Sequence, residues 1–136
     1  GLGDVYKRQM LMNNMFTDVR DFQLAVGQNV SDTPKLPSDQ ERELRLNLLK
    51  EEYAEYIQGE CKNDLENIAK ELADIIYIVC GTAASYGIPL DRVFKEVHRS
   101  NMAKLVDGKV IRRSDGKILK PDGWTAPDIK KVMYEV

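Results

Sequence analysis

The chain has 136 residues, of which 31% are charged and 43% are hydrophobic, and its formal net charge is −2. This length predicts one domain with a core large enough to fold without disulfides. A net charge so close to zero gives no general attraction to nucleic acid or to membrane lipid. The longest apolar run is too short to span a bilayer and no signal peptide is apparent, so we expect a cytoplasmic protein.

The first nine residues differ from those that follow. They read GLGDVYKRQ, precede Met10 and show no helical period. We therefore interpret residues 1–9 as a leader that is non-native or disordered, and residues 10–136 as a single domain.

Most of the remaining chain has the periodicity of helices. Cap and breaker residues predict four main helices, over residues 16–28, 39–59, 64–86 and 89–104. Ser38 is the expected cap of the second helix, with Glu41 completing a capping box, and Asn63 is the expected cap of the third. Gly87 is placed to end the third helix in a left-handed conformation.

The segment after the fourth helix has a different pattern. KVIRRSDGKILK predicts two short strands around the turn at Asp115 and Gly116, and Pro127 and Asp128 start a last short helix. The short link between the second and third helices makes these two antiparallel neighbours. We therefore expect an all-α fold, an antiparallel helix bundle of four main helices with a short C-terminal β-hairpin and tail.

Five acids lie at helical spacing among apolar residues of the second and third helices. This carboxylate motif reads E-E-x-x-E and then E-x-x-D, and consists of Glu51, Glu52, Glu55, Glu71 and Asp74. On a helical wheel the three glutamates of the second helix share an arc with Leu44 and Leu48. Carboxylates on a core-facing arc are costly unless they are paired or bind a cation.

Few bases are placed to neutralise these acids. Lys70 lies four residues before Asp74, in the less favourable order for a helical ion pair. Convergent carboxylate oxygens suit a hard divalent cation, Mg²⁺ or Mn²⁺, and the absence of histidine from the motif argues against zinc. A solvated acidic face is the alternative reading of the same pattern.

The carboxylate motif, together with EVHRSNMAKL and the tail GKILKPDGWTAPD, resembles the all-α nucleoside triphosphate pyrophosphohydrolases over residues 16–131. That group includes MazG-like proteins, dimeric dUTPases and phosphoribosyl-ATP pyrophosphohydrolases, and the chain looks like the last branch. The resemblance implies a single MazG-like domain that splits a nucleoside triphosphate into monophosphate and pyrophosphate. It implies Mg²⁺ held by Glu52, Glu55, Glu71 and Asp74, with Glu51 positioning or deprotonating the attacking water.

The resemblance also points to residues that would bind substrate. Asn101 and Lys104, one turn apart at the end of the fourth helix, would reach phosphate oxygens, and Lys120 is a weaker candidate. Phe22 or Gln28 would help to form a pocket for the base. We expect Trp124 to pack the tail against the core in preference to stacking on a base.

A second apolar arc on the second helix predicts self-association. Leu46, Leu49, Tyr53 and Ile57 fall between about 140° and 220° on the wheel that starts at Leu44. A helix that is apolar on two sides is buried on both or lies in a subunit interface. We therefore expect a homodimer or tetramer, in agreement with the habit of the resembled family.

The function expected from these features is metal-dependent hydrolysis of non-canonical or deoxynucleotides, dUTP-like substrates included. Phosphoribosyl-ATP hydrolysis is the alternative within the enzyme class. Outside that class, the same residues would suit a non-catalytic bundle that binds metal or nucleotide for regulation, or a helical module that binds a protein partner. Release of pyrophosphate separates the enzyme from both.

Overall fold

A computed structural model describes the backbone of residues 1–135 and the side chains of residues 1, 3, 4 and 15–135. Over that range the chain forms helices and no strand, which confirms the all-α class. The helices are α1 (Leu2–Ala25), α2 (Asp39–Cys61), α3 (Leu65–Tyr86), α4 (Leu90–Met102) and α5 (Ile129–Tyr134). None of these helices is by itself long and apolar enough to cross a membrane, although α3 and α4 meet the length and composition criteria when they are counted together as a bent pair.

By backbone contacts the chain divides into two compact units, Gly1–Leu90 and Asp91–Val136. In the first unit, α3 packs against both α1 and α2. The most buried stretch of α3 is made of small residues, which let neighbouring helices approach closely: Cys80, Gly81, Ala83, Ala84 and Ser85. From α1, Val19 and Gln23 are buried.

The first helix is longer at its start than the sequence pattern predicts. It begins at Leu2, so the backbone of residues 2–9 is helical, whereas the pattern predicted a start at residue 16. The interpretation of residues 1–9 as a leader stays a prediction. The leader contains several good helix formers and no proline, so nothing in it stops the helix. The helix ends at Ala25, before the predicted residue 28, because Gly27 turns the chain with a φ of 78°.

Of the two predicted N-terminal caps, Ser38 is confirmed and Asn63 is not. Ser38 caps α2, and its Oγ accepts from the backbone N–H of Glu41 at 3.2 Å. The carboxylate of Glu41 does not complete a capping box, because it accepts from Asn29 Nδ2 at 3.2 Å. At α3 the cap is Asp64, whose Oδ1 accepts from the N–H of Asn67 at 3.1 Å.

Asn63, the predicted cap of α3, serves the turn instead. Its φ of 54° is left-handed, which asparagine tolerates better than most residues. At the other end, Gly87 has a φ of 68° and ends α3 as predicted. The tight connection through Asn63 makes α2 and α3 antiparallel neighbours, which confirms the predicted arrangement of this pair.

The face of α2 that packs on α3 differs from the predicted arc. Its buried and half-buried residues follow one stripe: Arg45, Leu48, Glu52, Tyr56 and Gly59. Leu44 is 53% exposed, and Glu51 and Glu55 are exposed. The predicted arc was centred on leucine side chains. In the structure the side of α2 that carries Arg45 faces α3, because Arg45 hydrogen-bonds to residues of α3.

The second unit consists of most of α4, an irregular segment and α5. The predicted hairpin does not develop into strands. Its two arms are joined around Gly116 by one isolated antiparallel bridge, Arg112 with Ile118, and by backbone hydrogen bonds from the N–H of Arg113 to the carbonyl of Lys117 at 2.7 Å and from the N–H of Leu119 to the carbonyl of Ile111 at 2.8 Å. A second isolated bridge joins Val106 with Lys109. The chain does reverse at Gly116, whose φ is 92°. Trp124 fastens the tail to α4, since its Nε1 donates to the carbonyl of Ser100 at 2.6 Å.

Candidate metal centre

Three glutamates converge where α2 lies against α3. One carboxylate oxygen from each of Glu52, Glu55 and Glu71 lies within 4.8 Å of the other two. Glu52 and Glu55 are three residues apart and so share one side of α2, while Glu71 reaches them from α3. Glu71 is 3% exposed, Glu52 is half-buried and Glu55 is exposed, so the cluster opens to solvent on the Glu55 side.

Two oxygens of this three-glutamate cluster are buried with no hydrogen-bond partner among the described residues. They are Glu52 Oε2 and Glu71 Oε2. A buried polar atom without a partner is costly, and a buried carboxylate more so. A hard dication would bind such oxygens, and the donor set contains oxygen alone, so these residues fit Mg²⁺ or Mn²⁺.

The pKa values of the two most buried glutamates are shifted in opposite directions. The hydrogen bond to Glu71, together with burial and the negative charges of Asp74 and Glu55, raises the pKa of Glu52 from 4.5 to about 7. The same hydrogen bond, with help from Lys70, lowers the pKa of Glu71. Glu52 is therefore the protonated partner up to near-neutral pH, and a cation that binds both must displace this proton.

Asp74, the fourth predicted ligand, lies beside Lys70 and outside the three-glutamate cluster. Lys70 Nζ is 2.8 Å from Asp74 Oδ2 and 3.2 Å from Glu71 Oε1. The structure thus brings together three of the four predicted ligands and places the fourth one helical turn along α3. Sequence reasoning had noted a Lys70–Asp74 pair but not the second bond, to Glu71.

Glu51 stands apart from its neighbours in the motif. It is exposed on α2 and does not belong to the three-glutamate cluster. Consecutive residues of a helix point about 100° apart, which accounts for its different direction from Glu52.

Three of the predicted substrate residues come together in the second unit, around Trp124. Lys104 and Lys120 place their ammonium groups 5.9 and 4.8 Å from the centre of the indole ring, within the range of cation–π attraction. Lys104 Nζ also donates to Asn101 Oδ1 at 3.0 Å. This lysine–tryptophan cluster concentrates two positive charges and can attract an anion.

The two residues predicted for a base pocket do not share one. Phe22 of α1 packs edge-on against Tyr77 of α3, with ring centres 5.8 Å apart. Gln28 lines a separate open cleft of about 560 Å³, together with Asn29, Glu41 and Arg45. The prediction that Phe22 and Gln28 form part of a base pocket stays a prediction.

Sequence reasoning missed Arg45, the buried cation of the first unit. It is 7% exposed and donates to Thr82 Oγ1 at 3.0 Å, to the carbonyl of Ile78 at 2.8 Å and to Gln23 Oε1 at 3.4 Å. Burial lowers its pKa. An arginine that interrupts a leucine-rich helical stretch was the available signal, and its role is to join α1, α2 and α3.

The fold and the carboxylate cluster define a class, the MazG-like nucleoside triphosphate pyrophosphohydrolases. The family model described as phosphoribosyl-ATP pyrophosphohydrolase matches residues 19–101, which is more than half of the chain. The chain therefore belongs to the phosphoribosyl-ATP pyrophosphohydrolase family. The matched region contains the whole carboxylate motif and ends before Lys104 and Lys120. No curated protein sequence matches the chain.

Proposed function

We propose that the protein is a metal-dependent nucleotide pyrophosphohydrolase that releases a nucleoside monophosphate and pyrophosphate. The observation that carries this proposal is the pair of buried carboxylate oxygens without partners, Glu52 Oε2 and Glu71 Oε2, in a chain of this family. Nothing else among the described residues satisfies these atoms, whereas a dication would satisfy both.

The carboxylates divide into ligands and a base. Glu52, Glu55 and Glu71 would hold Mg²⁺ or Mn²⁺, and Asp74 would complete the set. A bound dication supplies charge that polarises phosphoryl oxygens and lowers the pKa of a coordinated water. Glu51, which is exposed on α2 next to Glu52 in the sequence, would orient the attacking water and accept its proton.

The lysine–tryptophan cluster supplies the charge for substrate phosphates. Lys104 and Lys120 offer ammonium groups, and Asn101 offers a neutral donor. The hydrogen bond from Lys104 to Asn101 holds the Lys104 ammonium at the C-terminal end of α4. We assign these three residues to phosphate binding, and Phe22 and Gln28 remain the candidates for contacts with the base.

Two substrate classes follow from the family. The description of the matched family favours phosphoribosyl-ATP, a nucleoside triphosphate modified on its base. Deoxynucleotides and non-canonical nucleotides, dUTP included, are the second class, which rests on the resemblance to the wider all-α group that contains the dimeric dUTPases. Both are cleaved at a phosphoanhydride bond, so the same carboxylates serve either.

We also propose that the enzyme is a homodimer or tetramer. The second apolar arc of α2 is exposed in the single chain, with Leu46, Leu49, Tyr53 and Ile57 between 38 and 59% exposed. On α3 a further set of large apolar side chains is exposed, namely Leu72, Ile76, Tyr77 and Val79. Exposed apolar surface on two neighbouring helices supports an interface between copies of the chain.

A substrate panel tests the function. The purified protein is incubated with Mg²⁺ and phosphoribosyl-ATP, dUTP or the common nucleotides, and the release of monophosphate and pyrophosphate is measured. We expect turnover of at least one of them, its loss in excess chelator and its loss in Glu52→Gln. The matched control is Glu60→Gln, an exposed acid on α2 outside the motif, which should retain activity. Turnover that persists in chelator would overturn the metal assignment, and binding without pyrophosphate release would favour a regulatory bundle.

A further inference from the structure

Lys70 bonds to both acidic groups that α3 contributes to the metal centre. Its ammonium lies 3.2 Å from Glu71 Oε1 and 2.8 Å from Asp74 Oδ2. Only one oxygen of Glu71 is used in this way, since Glu71 Oε2 is buried without a partner. The ammonium of Lys70 therefore neutralises the charge at the outer edge of the cluster, whereas the buried oxygen of Glu71 is left without a hydrogen-bond partner.

The exposure of the three side chains shows that the lysine reaches in from solvent. Lys70 is 64% exposed, Asp74 is 36% exposed and Glu71 is 3% exposed. A long flexible stem with a strongly hydrated ammonium can leave these carboxylates without disturbing the core. Asp74, held by this lysine, is outside the group of oxygens that lie within 4.8 Å of one another.

We infer that Lys70 is a displaceable counter-ion, which occupies the Glu71–Asp74 edge of the centre in the metal-free protein and must leave before Asp74 can join Glu71 in binding a dication. The inference rests on the proposed metal site and adds a role for a residue outside the ligand set. Lys70 is a positioning residue, because it acts by holding Asp74 and one oxygen of Glu71.

Two consequences of opposite sign follow. Removing the ammonium leaves the acids of the cluster to repel one another, so the metal-free protein is less stable. It also removes a competitor for the same oxygens, so a dication binds more tightly. A residue that merely stabilised the fold would shift the first quantity and leave the second unchanged.

The test uses Mn²⁺ alone, without nucleotide, titrated by calorimetry into the full chain. Three variants are compared with the original protein: Lys70→Met, Lys70→Arg and the control Lys50→Met. Lys50 is an exposed lysine on α2, one residue before Glu51, and it forms no ion pair with the acids whose side chains the structure describes. Melting temperatures in chelator are recorded for the same four proteins.

We expect Lys70→Met to bind Mn²⁺ roughly two- to tenfold more tightly, the range expected for losing two partly exposed ion pairs, and to melt at a lower temperature in chelator. Lys70→Arg should restore both values, because an arginine keeps the charge. Lys50→Met should change the affinity by less than about twofold.

The possible failures are distinguishable. If Lys50→Met and Lys70→Met tighten Mn²⁺ binding equally, the tighter binding results from the change in net charge. The proposal that the dication displaces Lys70 is then overturned. If Lys70→Met binds Mn²⁺ no more tightly than the original protein, the displacement is again overturned while the metal site stands. If the original protein binds no Mn²⁺, both the displacement and the proposed metal site fall.

Discussion

Arg45 of α2 occupies the space beside the α-carbon of Gly81 in α3. A Cβ built at Gly81 would lie 2.5 Å from Arg45 Nη2 and closer still to Gln23 Oε1. Cβ atoms in proteins essentially never approach other heavy atoms so closely. A side chain at this position would therefore displace the side chains of Arg45 and Gln23. The junction of α1, α2 and α3 therefore depends on a glycine that a propensity scale would count as unfavourable inside a helix.

We predict that Gly81→Ala lowers the free energy of unfolding by about 1–3 kcal/mol, the usual cost of overpacking a tight core. Denaturant unfolding followed by circular dichroism measures the change. Gly3→Ala is the control, because a Cβ at Gly3 meets no described atom within 4 Å. In a helix this control substitution is neutral or slightly stabilising. Equal unfolding curves for Gly81→Ala and the original protein would show that Arg45 and Gln23 can move at no cost.

Two helix boundaries, the start of α2 and the end of α3, could be read from the sequence, because the residues that set them act locally. Ser38 and Gly87 make their capping hydrogen bonds with the adjacent turn of their helices, and both are caps at the predicted positions. The hairpin, which does not develop into strands, is the complementary case. A turn at Gly116 is a local property, but a strand ladder needs more than the single Arg112–Ile118 bridge that forms beyond it.

The candidate site was predicted as a set of residues but not as an arrangement. Helical spacing placed Glu52, Glu55 and Glu71 together, since these depend on two antiparallel helices and a period of 3.6 residues. The wheel did not fix which side of α2 faces α3, because that depends on Arg45 bonding across the pair. Asp74 is paired with Lys70. The sequence does not indicate whether the ammonium of Lys70 points into solvent or contacts the two carboxylates of α3.

The exposed apolar arc of α2 leads to a prediction about assembly. Leu49→Glu should dissociate the oligomer or cause aggregation, because it would bury an unpaired charge in the interface. Light scattering at micromolar concentrations measures the mass. Leu65→Glu is the matched control, since Leu65 is 77% exposed at the start of α3, where an acid is favoured by the helix dipole. An original protein that is monomeric at high micromolar concentration contradicts the interface.

The raised pKa of Glu52 predicts how stability depends on pH. The folded protein holds the Glu52 proton more tightly than the unfolded chain does, because the pKa of Glu52 is raised from 4.5 to about 7. Between these values unfolding releases the proton, so the free energy of unfolding of the metal-free protein falls as pH rises. The lowered pKa of Glu71 has the opposite sign, and its contribution is lost as pH falls below the ordinary value for glutamate.

We therefore expect the melting temperature in chelator to decline from mildly acidic to neutral pH. Added Mg²⁺ should remove this decline, since it binds the ionised carboxylates. Melting scans over a pH series, with and without Mg²⁺, provide the measurement. Glu52→Gln should flatten the profile in chelator and Glu60→Gln should leave it unchanged. A melting temperature that rises through this interval in chelator would show that Glu52 is not the protonated partner.

The last prediction separates the base from the ligands. Glu52→Gln and Glu55→Gln should weaken Mn²⁺ binding and turnover together, because a neutral amide is a poorer ligand for a hard dication. Glu51→Gln keeps the shape of the side chain and its hydrogen bonds but cannot accept a proton. If Glu51 is the base, nucleotide and Mg²⁺ still bind to this variant while turnover falls by roughly 10²–10⁴-fold, the usual contribution of general-base catalysis. Calorimetric titration of nucleotide into the Glu51→Gln protein with Mg²⁺ present is the direct measurement. Binding that is lost in parallel with turnover would make Glu51 a ligand, and the water would then need another base.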